Sequence, residues 1–398
     1  MIRSRAFAYI TAADFTVRSA YQMGKTPLLP IYAATLGAGD VFLGFIVSVS
    51  TLTGMLLKPL VGVLSDRWGR RGWLLIGTAF FAGMPFVYRF VSTPEQLFAV
   101  RMVHGLATAI YGPVTLAYVA ELSQGQRAER LAWFGTARNA GYVVGPALAG
   151  WMLLTLDPVA VFTVVGVLSS LAFVPVLLLP ETRAAPGATR PSLLRQALGA
   201  LRSGGTTSAV WLAGGMEAAM FVALYATKTF LPIYALAAGF NVALVGTFFA
   251  VQAAAHMALN PIGGRLGDRA GYRIAIPAGM VTLAAVLPLL TLAGGAATLL
   301  ALAVLAGAAQ ALVFPSTVAL VSARVDEEHL GAGMGLVGTL KNAGKVGGPV
   351  LAGGLIHWLD YALTFQLMAA GLLVGALVVW QGARLARRPR KEREAAVA

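Results

Sequence analysis

Apolar residues run along this chain in stretches of about 20, without alternation and with few polar interruptions. Each stretch is long enough to cross a bilayer as a helix rising about 1.5 Å per residue. The pattern predicts twelve spans, at about 7–35, 40–64, 72–92, 96–120, 131–154, 158–179, 208–236, 242–264, 273–293, 297–321, 331–356 and 361–384. Glycine and proline fall inside these spans as well as between them, as in membrane helices whose neighbours re-satisfy a disturbed backbone. The expected fold is an all-α polytopic membrane protein of twelve transmembrane helices.

The pattern is also written twice. Residues 29–71 and 231–273 align without a gap at an offset of 202. LPIY meets LPIY, Gly44 meets Gly246, Pro59 meets Pro261 and Asp66 meets Asp268. After one further residue, NAG at 139–141 meets NAG at 342–344. Two six-helix bundles related by pseudo-symmetry are therefore expected at 1–179 and 208–384. Between them, 180–207 is a Pro-, Gly- and Arg-rich cytoplasmic linker in which 192–202 is spaced as a short amphipathic helix. A basic cytoplasmic tail follows at 385–398. Parallel repeats joined this way imply a substrate site near the midplane, exposed to each side in turn as the halves rock.

Composition agrees with a bilayer as solvent. The chain is 58% hydrophobic and 12% charged, about half the charge of a soluble domain. A net charge of +14 raises nucleic acid as a partner, but placement argues against it. Of the 30 basic residues, 21 fall in loops and ends on the side of the termini, which puts both termini in the cytoplasm. A plasma (inner) membrane is expected, and the Ala-, Gly- and Arg-rich usage points to a bacterium. The basic start mimics a signal peptide, but its apolar run is too long, carries Asp14 and Arg18 and has a counterpart later in the chain. There is no cysteine, no HExxH, no metal-ligand cluster and no phosphate loop. An enzyme or a nucleotide-driven pump is therefore not expected, and no cofactor beyond a proton gradient is called for. The expected partners are a small-molecule substrate, protons and membrane lipids, with the chain acting as a monomer.

Residues 62–71, GVLSDRWGRR, recur as GRLGDRAGYR at 264–273. Gly62, Asp66, Arg67, Gly69, Arg70 and Arg71 in this order resemble the signature gating loop of the major facilitator superfamily of secondary transporters. The copy holds Gly264, Asp268, Arg269, Gly271 and Arg273, with Tyr272 where Arg70 stands. The resemblance extends over the whole chain and implies that fold, with the arginines clasping carboxylates across the seam between halves, Gly62 allowing close helix approach, and a weaker latch in the second copy. Arg101 and His104 on the fourth span resemble the family's membrane-embedded arginine motif, which is associated with proton transfer; an arginine snorkelling to the outer surface is the plainer reading. Gly141, Gly145 and Pro146 on the fifth span resemble the motif of proton-exchanging exporters, and Gly344, Gly348 and Pro349 repeat it on the eleventh. These glycines are expected to pack helices face to face.

Nine basic residues lie away from the loops: Arg18, Lys25, Lys58, Arg89, Arg101, Arg138, Lys228, Lys341 and Lys345. A charge at the bilayer centre costs about 2.5–3.5 kcal/mol, so those inside spans should face a wet cavity or one another. Asp14 and Arg18, four apart, are placed to neutralise each other. Glu217 has no partner at helical spacing. Arg138 and Lys341 occupy equivalent positions of the two copies, which suggests symmetric clamps on an anionic or zwitterionic substrate, with Arg18, Lys25, Lys228, Lys345 and Tyr225 as further contacts. Asp14 and Glu217 are the candidate proton carriers, with Arg101 and His104 beside them. The leading expectation is proton-coupled export of a small organic anion, zwitterion or amphiphile by alternating access. Two alternatives are open: a multidrug/proton antiporter for lipophilic cations, and a proton symporter importing an organic anion.

Overall fold

A computed structural model describes residues 2–123, 127–182 and 208–385, and these are helical nearly throughout. The helices are α1 (Ile2–Lys25), α2 (Leu28–Thr35), α3 (Asp40–Trp68), α4 (Arg70–Val87), α5 (Pro94–Leu122), α6 (Arg127–Met152), α7 (Pro158–Ser170) and α8 (Phe173–Leu177). After the linker come α9 (Ser208–Ala237), α10 (Val242–Ala270), α11 (Tyr272–Leu290), α12 (Ala296–Ser322), α13 (Glu327–Trp358) and α14 (Tyr361–Leu385). With α1 and α2 forming one span, and α7 and α8 another, they follow the twelve predicted spans. The linker helix expected at 192–202 and the tail beyond Leu385 lie outside the described residues.

Among the described residues, nine helical segments are long and apolar enough to cross a membrane. The other three spans, α1 with α2, α6 and α13, hold Asp14, Arg18 and Lys25; Arg138; and Lys341 and Lys345. Helix ends are set locally. Thr93 caps α5 by accepting from the Gln96 amide, and Asp157 caps α7 by accepting from the Ala160 amide at 2.9 Å, each followed by proline at the first helical position. All described residues with φ in the left-handed region are glycines: Gly37 and Gly239, Gly69 and Gly271. Each pair stands at the repeat offset of 202, so the duplication is preserved in backbone conformation as well as in letters.

Packing divides the chain into two units. One comprises Met1–Leu198, Leu224–Ala254 and Lys345–Asp360; the other comprises Gly199–Ala223, Ala255–Gly344 and Tyr361–Ala398. Within the first, α3 packs on α5, α1 on α6, and α4 on α5 and α7, around Ile10, Leu74, Phe81, Ile110, Tyr111 and Tyr118. Two helix crossings in this unit leave no room for a side chain. A Cβ on Gly44 would run into the Pro349 carbonyl, and one on Gly353 into the Asp40 carbonyl. Their repeat equivalents behave alike: Gly246 abuts the Pro146 carbonyl, and a Cβ on Gly150 would lie 2.7 Å from the Val242 oxygen. The same crossing is thus built twice, α3 with α13 and α10 with α6. Gly145 and Gly141 seat α6 on α1 against Ser19 and Gln22. Gly62 has nothing within 4 Å of its Cβ position, so close approach is supplied by these other glycines and not, as expected, by the loop's first.

In the second unit, α11 packs on α12 and α14, and Gly279 lets the backbone of α12 approach, its Cβ position 2.7 Å from the Ala309 oxygen. Gly344 abuts the Ala218 carbonyl, seating α13 on α9. Large apolar side chains line the outside of the helices, among them Leu56, Leu292, Trp133, Trp151, Trp358 and Val374. This is the surface a lipid-facing protein presents.

Candidate functional site

The signature loop joins α3 to α4. Gly69, at φ +92°, makes the turn that brings Arg70 back beneath α3. Its guanidinium donates to Asp66 Oδ1 at 2.8 Å and through Nε to Glu121 Oε1 at 2.8 Å, and Arg70 is 4% exposed. Arg71 donates to the Leu177 carbonyl at 2.7 Å, and its amide donates to Glu181 at 3.1 Å. Both carboxylates held by Arg70 belong to the first sequence half, whereas the arginines were expected to clasp carboxylates across the seam. Arg67 is exposed. In the second copy the neutral Tyr272 hydroxyl accepts from Arg324 at 3.2 Å and Arg273 at 3.3 Å, in place of the paired carboxylates.

Arg101 does not snorkel. It is 1% exposed, donating to the Tyr88 hydroxyl at 3.3 Å and to the Ser50 hydroxyl. The same Tyr88 hydroxyl lies 3.1 Å from His104 Nδ1. Arg101 Nε, His104 Nε2 and Ser169 Oγ have no hydrogen-bond partner among the described residues. All three residues line a cavity of about 10 Å³, shared with Tyr21, Phe81 and Phe162, which is room for about one water molecule.

The two deep acids are each bound to a base of the same unit. In the first unit, Arg138 on α6 grips Asp14 on α1 with two parallel bonds of 2.9 and 2.8 Å and donates to Thr115 Oγ1 on α5 at 2.8 Å. Arg18, the partner expected from helical spacing, stands at 3.9 Å from Asp14. In the second unit, Lys341 on α13 lies 3.5 Å from Glu217 Oε2 on α9, and Thr317 on α12 donates to Glu217 Oε1 at 2.7 Å. Thr115 and Thr317 are separated by the repeat offset of 202. Each unit therefore builds one acid–base–threonine triad from equivalent helices. They differ in grip: the arginine fork fixes Asp14 in two directions, whereas Lys341 makes a single longer contact. Lys341 also lies over the stacked rings of Phe221 and Phe314, at 5.0 and 5.5 Å. Arg138 and Lys341, expected as substrate clamps, are thus both engaged by acids.

The remaining predicted substrate contacts gather elsewhere in the first unit. Tyr225 on α9 has three ammonium groups about its ring: Lys25 at 5.0 Å, Lys228 at 5.3 Å and Lys345 at 5.9 Å from the centroid. Lys25 also faces Tyr21 at 5.7 Å and donates to Thr51 at 3.3 Å, and Lys228 faces Tyr142 at 5.9 Å. Among the described residues, Lys25 and Lys228 have no carboxylate within ion-pair distance. Sequence reasoning named Tyr225 but not its role as the hub, nor Tyr142, Thr115 and Thr317. The one available signal was the shared offset of the two threonines.

These features fit the known proteins the chain is similar to. The family model described as Major Facilitator Superfamily matches residues 21–255 and 218–398. An uncharacterized MFS-type transporter of Methanocaldococcus jannaschii is 34% identical over 125 residues, 31% of this chain and 32% of that one. Multidrug resistance protein 1 of Bacillus subtilis is 28% identical over 127 residues, 32% of this chain and 33% of that one. These matches span about a third of the relatives' own length. A crystal structure of the nucleoside transporter NupG superposes with a TM-score of 0.83 at 15% identity, over 94% of this chain and 98% of that one, a likeness of fold. With its duplicated signature loop, repeated helix crossings and family match along nearly the whole length, the chain belongs to the Major Facilitator Superfamily.

Proposed function

We propose that this protein is a secondary transporter working by alternating access, exporting a small organic anion, zwitterion or amphiphile in exchange for protons. Its place is the bacterial inner membrane, with both termini in the cytoplasm. One observation carries the reading: Lys25, Lys228 and Lys345 converge on Tyr225, while the deep carboxylates are committed to Arg138 and Lys341. A cluster of cations about a tyrosine ring favours an anion with an apolar body.

Glu217 is the proton carrier in this scheme. Its contact with Lys341 is single and 3.5 Å long, so protonation removes the attraction and leaves Lys341 to other partners. Asp14, held bidentately by Arg138, fixes α1 to α6. The signature loop and its copy serve as gates, and Arg101 with His104 holds Tyr88 in place at the end of α4.

The test is reconstitution in liposomes enclosing a pH-sensitive dye, under an imposed pH gradient. Organic anions should evoke proton movement, lost in Glu217→Gln and weakened in Lys228→Gln. A second reading, a multidrug/proton antiporter for lipophilic cations, is favoured by Glu217 beside the Phe221–Phe314 stack and by the Bacillus relative. It predicts a response to cations alone, indifferent to Lys228. Import by symport predicts proton movement in the same direction as the anion.

A further inference from the structure

The cluster around Tyr225 has more charge than a monocarboxylate would neutralise. Lys25 and Lys228 both face its ring, and neither has a carboxylate partner among the described residues. Lys345 completes the ring from α13. Asp14, the deep acid of the same unit, has both oxygens occupied by Arg138 and the edge of Arg18. Two ammonium groups brought to one side chain inside a low-dielectric interior repel each other, and a polar group held in a span without compensation is costly. Such an arrangement is stable in a binding cycle when the occupant supplies matching negative charge. The three lysines come from three helices, α1, α9 and α13, and meet at the one ring of Tyr225. Between them stand the flat faces of Tyr21, Tyr142 and Tyr225.

Resting on the anion reading above, we infer that the occupant carries at least two negative charges on a planar body, as an aromatic dicarboxylate or aryl phosphate does. Two anionic groups bridge Lys25 and Lys228, and the ring lies against the tyrosines. A monoanion leaves one ammonium uncompensated, and a lipophilic cation adds to the surplus.

Three probes of one skeleton test this on the purified full-length chain in detergent: phthalate, benzoate and benzyltrimethylammonium, with phenyl phosphate as a second dianion. Binding is read by the ligand-induced rise in melting temperature and by calorimetric titration. Phthalate and phenyl phosphate should bind tenfold or more tighter than benzoate, and benzyltrimethylammonium should not bind. In Lys228→Gln, with circular dichroism confirming an intact helical fold, the advantage of phthalate over benzoate should fall to threefold or less. If benzoate binds as well as phthalate and Lys228→Gln weakens both equally, the site takes anions but the charge inference is overturned. If benzyltrimethylammonium alone binds, the anion reading and the inference fall together. Silence from all four probes overturns the inference as well.

Discussion

Replacing Asp14 by Asn should destabilise the protein more than replacing Glu217 by Gln, although the two acids lie on equivalent helices. Asp14 is 1% exposed and receives two charge-assisted bonds from Arg138, whose side chain is 17% exposed. Removing one member of a buried pair strands the other and costs about 3–5 kcal/mol. Because Arg138 keeps Thr115 and reaches some solvent, the lower end applies, about 3 kcal/mol. Glu217 meets Lys341 in one contact of 3.5 Å, with the lysine side chain 35% exposed; a partly solvated pair of this kind contributes about 1 kcal/mol or less. Gln retains the Thr317 bond. The assay is unfolding in mixed micelles by sodium dodecyl sulfate, followed by tryptophan fluorescence. A double-mutant cycle with Arg138→Gln should return a coupling of about 2–3 kcal/mol to Asp14. Equal effects of Asp14→Asn and Glu217→Gln, or a coupling below about 0.5 kcal/mol, would refute the division into a fixed pair and a releasable one.

Further outcomes follow from the close contacts. In Gly150→Ala the new methyl would lie 2.7 Å from the Val242 oxygen, an overlap that costs about 1–3 kcal/mol. The α6–α10 crossing should loosen, and a single cysteine at Thr51, in this cysteine-free chain, should label about fivefold faster with an impermeant maleimide; unchanged labelling would mean that this crossing does not limit access. Arg70→Lys should weaken the α3–α4–α5 junction by about 2 kcal/mol, since a point charge cannot serve Asp66 and Glu121 in the fork geometry. The check is the same detergent titration, with wild-type stability as the contrary result. Arg101→Lys should also lose about 2 kcal/mol, because the lysine forfeits the paired reach to Ser50 and Tyr88; a loss confined to exposed-site values would return Arg101 to the membrane surface.

Local pattern carried the spans, and the offset of 202 carried the duplication, because both are written in consecutive letters. That offset, lengthened by one residue, placed Arg138 and Lys341 at equivalent positions. What it could not show was which acid each would meet. Asp14 lies 124 residues from Arg138, and helical spacing offered Arg18, a nearer candidate in sequence and a more distant one in space. Thr115 and Thr317 were invisible as site residues, since threonine is common in spans and carries no charge. Tyr225 became a hub only when α1 and α13 brought their lysines to it. Glycine was the least legible. Gly62 stands in open space and Gly44 against a carbonyl, and nothing adjacent in the sequence separates the two cases. The snorkelling alternative for Arg101 likewise failed on contacts with Ser50 and Tyr88 from other segments.

The central claim is that the lysines around Tyr225 bind the transported anion. A structure of the protein determined with phthalate bound tests it most directly. The account predicts ligand density between Lys25 and Lys228 with its ring against Tyr225, and the Asp14–Arg138 and Glu217–Lys341 pairs left intact. Density beside Glu217, over the Phe221–Phe314 stack, with the lysine cluster untouched, would contradict it.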